Sequence, residues 1–175
     1  STVAESLQSG TRLQNSRLTE QDWVLIRFLI PVNGDGRSSA LASKTPRSFT
    51  AAHLEVRKVY VWELEVNVEK SLDFATKIVL FYEEFSKTRK DTTIAKQLLR
   101  SATSVGANIN EAVYGNSKAD FISKLHISLK ETGESIYWLK LLKRTSLIDY
   151  NFDSLLSLAE EIKRMLIASL NTAKE

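Results

Sequence analysis

The stretch KQLLRSATSVGANINEAVYGNSKADFISKLHISLKETGESIYWLKLL, Lys96 to Leu142, decides the fold. Within it Leu98, Ala102, Val105, Ile109 and Ala112 step by four, three, four and three, the spacing of a helical seam in a bundle. Gly115-Asn116 ends that helix, and Ser117 is placed to cap the next, with Asp120 three residues on. The second helix of the stretch carries two stripes. Ile122, Leu125, Leu129, Thr132, Ile136 and Leu139 form the first, while Ile127, Trp138 and Leu141 lie off it. A helix that is apolar on more than one side is covered on more than one side.

The same period continues on either flank. Phe74, Ile78, Phe81 and Phe85, widened by Ala75, Val79 and Tyr82, stripe an earlier helix that starts near Glu69. Ser71 is its expected N-cap, and Ser86 to Asp91 is the polar turn that ends it. Beyond a turn at 145–151, Phe152, Leu155, Ala159, Ile162 and Leu166 stripe a last helix. Four helices with short links predict an all-α, antiparallel up-and-down four-helix bundle over residues 68–175.

Residues 1–67 read as an N-terminal extension. Up to about residue 52 it is rich in Ser, Thr, Gly and Arg, which predicts loop or disorder with one short apolar element around Trp23 to Ile30. From 54 to 66 the apolar residues Leu54, Val56, Tyr60, Trp62, Leu64 and Val66 occupy even positions, the pattern of a strand. The extension is therefore expected to be poorly structured or partly β.

Composition bounds the chemistry. With 43% apolar and 26% charged residues the chain is an ordinary soluble globular protein, expected in the cytoplasm. It has no cysteine, which excludes disulfides, thiol nucleophiles and thiolate metal sites. The longest apolar run, Trp23 to Val32, is interrupted by Arg27 and is shorter than the roughly 18 residues of a membrane span. The start lacks the basic and apolar regions of a signal peptide. The net charge of +3 and the pI near 9.1 permit nucleic-acid contact without announcing it.

Candidate sites follow from spacing. Asn108 and Glu111 sit one turn apart on one helix, and Glu131 and Glu134 on the next. Turned inward, they would form a buried polar network that fixes register, and simple solvent exposure is the competing reading. A di-metal carboxylate site needs Glu-x-x-His pairs, and neither His53 nor His126 follows a glutamate by three. His126 is a helix-surface histidine, and Ser101, Thr103 and Ser104 have no paired base, so no catalytic residue, cofactor or small-molecule substrate is expected. Lys96, Arg100, Lys118, Lys124, Lys140, Lys143 and Arg144 are candidates for phosphate contact, against an ordinary solvated face. Ile127, Trp138 and Leu141 are the candidate subunit interface, because aromatic anchors favour interfaces.

Three segments also carry a resemblance. VEKSLDFATKIVLFYEEF, KQLLRSATSVGANINEA and SKADFISKLHISLKETGESIYWLKLL, in this order from Val68, resemble the helices of bacterial 23S ribosomal RNA intervening-sequence proteins. That resemblance implies a four-helix bundle with no enzymatic activity. A related basic bundle is the accessory variability determinant of retroelements, and it implies a homopentamer. The first sixty-odd residues have no counterpart in the family, and the single methionine is Met165, so an extended or fused N-terminus is expected. The functional expectation is a non-enzymatic homo-oligomer that binds RNA or DNA backbone as an accessory factor. The alternative is a structural or protein-adaptor bundle whose charges only keep it soluble.

Overall fold

The computed structural model describes residues 51–174, with side chains from Leu64 onward. The expected loop and apolar element before residue 51 lie outside the described residues. Four helices follow one another: α1 (Ala51–Thr88), α2 (Thr93–Val113), α3 (Lys118–Thr145) and α4 (Asp153–Lys174). Each packs on the next and α4 returns to α1, leaving α1 diagonal to α3 and α2 diagonal to α4. The antiparallel four-helix bundle stands as read.

The strand expected at 54–66 is not formed, because α1 takes in that whole span. No glycine or proline interrupts residues 51–88. Val56, Tyr60 and Leu64 are four apart in sequence, so a short alternation satisfies a helical seam as well as a strand. The seam of α1 then runs Leu64, Asn67, Ser71, Phe74, Ile78, Phe81 and Phe85, all buried. Ser71 is thus not an N-cap. It lies inside the helix, donates to the Val68 carbonyl at 2.7 Å, and faces Gly106 of α2, where an added Cβ would come within 3.2 Å of its hydroxyl. Val79 was expected to widen the core but is exposed.

The seams of α2 and α4 stand where their spacing puts them, with Leu98, Ala102, Val105, Ile109, Leu155, Ala159, Ile162 and Leu166 all essentially without solvent contact. Local chemistry sets the ends. Ser117 accepts from the Asp120 N–H, and Asp120 accepts in turn from the Asn116 N–H, which fixes the start of α3. Thr92 precedes α2 without a capping hydrogen bond from its side chain, and Asp91 serves the start of the helix instead. Its carboxylate accepts from the Thr93 N–H at 2.9 Å and from the Thr93 hydroxyl at 2.7 Å.

The inner face of α3 departs from its expected stripe. Buried there are Phe121, Leu125, Ser128, Thr132, Ser135, Ile136, Leu139 and Leu142, while Ile122 and Leu129 are only half-buried. Three hydroxyls therefore occupy the middle of the core, each with a hydrogen bond. Ser128 donates to the Val105 carbonyl of α2 at 3.0 Å, Thr132 to the Ser128 carbonyl at 2.8 Å, and Ser135 meets the Ser101 hydroxyl at 2.9 Å. A buried hydroxyl without a partner would be costly, so these bonds are what make a polar seam tolerable.

Candidate nucleic-acid interface

Interhelical contacts fix which cations share an end of the bundle. Ser101 meets Ser135, Val105 meets Ser128, and Glu111 meets Lys124, so α2 and α3 run antiparallel with a constant offset. Lys96 and Arg100 on α2 therefore lie level with Lys140, Lys143 and Arg144 on α3. Phe81 packs edge-on to Tyr150 and Phe152, with centroids 4.9 and 5.4 Å apart, which brings the end of α1 to the same place. Lys118 and Lys124 sit at the opposite end. The twenty residues from Lys124 to Arg144 span about 30 Å along the helix. The seven candidates are thus two groups rather than one surface.

Their pairing separates them further. Lys124 is taken by Glu111, a contact that raises the lysine's pKa above 10.5, first through the hydrogen bond and then through the charge. Lys143 pairs with Asp153, and Lys140 approaches Glu160 at 3.8 Å. Lys96 and Arg100 make no ion pair among the described residues. Beside them the last turn of α1 adds Lys87 and the link to α2 adds Arg89 and Lys90, all exposed and likewise without an ion pair among the described residues. Sequence spacing missed these three, which had been read only as the polar end of a helix. From Lys87 to Arg100 the chain holds five cations against Asp91 alone.

The four polar residues expected to form a buried network do not form one. Glu111 and Glu134 are exposed, and Asn108 and Glu131 are half-buried. Asn108 donates to the Ser104 carbonyl of its own helix, Glu111 holds Lys124, and Glu134 accepts from the Trp138 indole at 3.0 Å. Helical spacing carries all four away from the buried seams of α2 and α3. The buried polar positions are the small hydroxyls and Asn67, whose amide donates to Ser169 at 3.3 Å. Among the described residues no cluster of His, Asp and Glu has the grouping of a metal site.

The off-stripe residues of α3 lie toward solvent. Ile127 is exposed, Leu141 is half-buried, and Trp138 is half-buried against the core. Tyr137 joins them, its ring 4.9 Å from that of Trp138 and nearly perpendicular to it. Among the described residues no helix is long and apolar enough to cross a membrane.

Comparison with known proteins agrees with this architecture. A family model described as 23S rRNA-intervening sequence protein matches residues 63–168. A solved structure from Bacteroides thetaiotaomicron VPI-5482, a protein with unknown function from the S23 ribosomal protein family, is 44% identical. The match covers 62% of this chain and 98% of that one, with a TM-score of 0.60. No curated protein matches the chain.

Proposed function

This chain belongs to the 23S rRNA-intervening sequence protein family, and we propose that it is a cytoplasmic, non-enzymatic, homo-oligomeric bundle that holds RNA or DNA by its backbone phosphates. The observation that supports this reading is the row of cations without an ion pair among the described residues at one end: Lys87 in the last turn of α1, Arg89 and Lys90 in the link to α2, with Lys96 and Arg100 beside them. One such patch is modest. Repeated around the axis of an assembly, the fields add and reach phosphate-binding strength. Binding of this kind is weakly selective for sequence and sensitive to salt, because each neutralised phosphate releases counterion.

Assembly draws on the outward residues of α3, Ile127, Trp138 and Leu141, which gain no full burial in a single copy. The stoichiometry implied by the family resemblance is five. Light scattering and native mass spectrometry measure it directly.

Fluorescence anisotropy against structured RNA, duplex DNA and single strands tests the nucleic-acid reading. The expected result is binding at low salt that weakens steeply as salt rises. Absence of binding at low salt would leave the adaptor reading, in which these charges serve only solubility.

A further inference from the structure

The first helix outruns the bundle it belongs to. Ser71 faces Gly106 of α2, and Asn67 donates to Ser169 of α4. From there α2 ends seven residues beyond Gly106 and α4 five beyond Ser169, which brings both ends level with residues 62–64 of α1. Because α1 begins at Ala51, roughly 16–20 Å of helix lies ahead of that level.

The outer face of α1 is apolar along its length. Val68 is half-buried, Leu72 is 59% exposed, and Val79 is exposed. Val61 stands seven residues ahead of Val68, and Leu54 seven ahead of Val61, two turns each, so one helix face carries all five positions. Glu65 and Glu69 share that face. Both are exposed and make no ion pair among the described residues, whereas Lys70 is held by Glu161 and Asp73 by Lys77. The helices α2 and α4 pack on the opposite side and leave this stripe uncovered.

The chain itself carries a matching cover. Trp23 to Val32, WVLIRFLIPV, is its longest apolar run and holds one charge, Arg27. Eighteen residues, 33–50, join that run to α1. Such a link reaches about 60 Å when fully extended, and a Gly/Ser-rich chain of that length averages about 23 Å end to end. Measured along the helix from Ala51, Val61 lies about 15 Å and Leu72 about 32 Å away, so the tether length centres the run on the stripe between them. Charge agrees with length. Residues 1–50 hold six cations and four carboxylates, a net charge of +2, while Leu64 to Phe85 holds two lysines and five carboxylates, a net charge of −3. The run and its tether lie ahead of the family match, which begins at residue 63, and so are an addition to the common bundle.

We propose that Trp23–Val32 packs along the outer face of its own α1 from Val61 to Leu72, with Arg27 seated against Glu65 and Glu69. A segment on a short tether acts at about millimolar effective concentration, so at micromolar protein its own helix outcompetes a second copy. Nucleic acid is a poor occupant of this face, because Glu65 and Glu69 repel phosphate. The cation row near Lys87 lies at the far end of α1, so this contact and the phosphate contact stand or fall separately.

The chain has no cysteine, so introduced pairs report proximity without background. In the full chain at micromolar concentration under mild oxidant, Arg27→Cys with Glu69→Cys should close an intramolecular disulfide, read as a faster monomer band on a non-reducing gel. Arg27→Cys with Lys130→Cys, on the diagonal helix α3, should not. A covalent dimer from the first pair would put the run on a neighbouring copy, and crosslinking no greater than that of the control pair would put it elsewhere. Either outcome overturns the proposal. Hydrogen exchange gives a second reading, with the amides of residues 23–30 exchanging at least about tenfold more slowly in the wild type than in Arg27→Glu. Glu65→Arg with Glu69→Arg, added to Arg27→Glu, should restore the protection. Equal exchange in the wild type and Arg27→Glu, or no restoration in variants of unchanged circular dichroism, refutes the seat of Arg27. Should a charge variant lose its helical signal, the cysteine pairs decide.

Discussion

The cation pairing makes a quantitative statement about nucleic-acid binding. Replace Lys87, Arg89 and Lys90 together by Gln in one variant, and Lys140, Lys143 and Arg144 together by Gln in another. Both remove three formal charges. The first set has no ion pair among the described residues, whereas Lys143 is held by Asp153 and Lys140 approaches Glu160. A cation that already neutralises a carboxylate has less charge to offer a phosphate. Each phosphate neutralised on duplex DNA contributes about 0.9 to the slope of log affinity against log salt, so the turn variant should lose up to about 2.7 and the α3 variant about 0.9, mainly from Arg144. With the electrostatic gain counted from about 1 M down to about 0.1 M salt, these slopes correspond to roughly 500-fold and roughly eightfold losses of affinity. Stability should change little, although Lys87 lies in the last turn of α1 and its loss costs about 0.3–1 kcal/mol of favourable helix-dipole interaction. The assay is anisotropy on one labelled duplex over a salt series, with circular dichroism as the folding control. An α3 variant that flattens the slope as much as the turn variant would refute the pairing reasoning. An unchanged slope in both would remove phosphate contact from this end of the bundle.

Three further outcomes are expected. Ser101→Ala and Ser135→Ala should each cost about 0.5–1.5 kcal/mol in denaturant unfolding, while the double variant costs less than their sum, because the bond the two hydroxyls share is lost only once, each keeping a carbonyl of its own helix as a second partner; strict additivity would show that the 2.9 Å contact carries no coupling. Ser146, at φ 49° the one positive-φ non-glycine residue among those described, ends α3 in a left-handed conformation, so Ser146→Gly should raise stability by about 0.4–1 kcal/mol, read as a higher melting temperature. The backbone and hydroxyl of Thr93 hold the Asp91 carboxyl below its ordinary value of 3.8, so the stability it contributes is present above that value and is lost as the pH falls through the lower folded value; melting curves of the wild type and Asp91→Asn should differ at neutral pH and converge in strong acid.

How far each helix was legible depended on the contrast between its two faces. In α2 and α4 the inner positions are apolar and the outer ones polar, so Leu98 to Ala112 and Leu155 to Leu166 could be placed by spacing alone. In α1 the phenylalanines were equally plain, but the seam passes through Asn67 and Ser71 before reaching Leu64, and two polar seam positions hid the helix upstream of them. The candidate interface was half legible. Lysine and arginine are visible as residue types, whereas their partners Asp153 and Glu160 are on another helix and appear only once the chain is folded.

The hardest element, α3, was obscure for a reason that bears on its role. Its inner face uses Ser128, Thr132 and Ser135 where a bundle helix ordinarily carries leucine, and its outer face carries Ile127, Tyr137 and half-buried Leu141 where polar residues are usual. The two departures cancel the apolar contrast from which a helix face is read. They also belong together physically. Small hydroxyl side chains bonded to Ser101 and to the Val105 carbonyl anchor the inner face to α2 with little apolar volume. Phe121, Leu125, Ile136, Leu139 and Leu142 supply the buried apolar surface of α3, while Ile127 and Tyr137 lie outward. A helix built in this way stabilises its own bundle less than it could. Its hold on the bundle therefore rests on hydrogen bonds to α2 as well as on apolar burial.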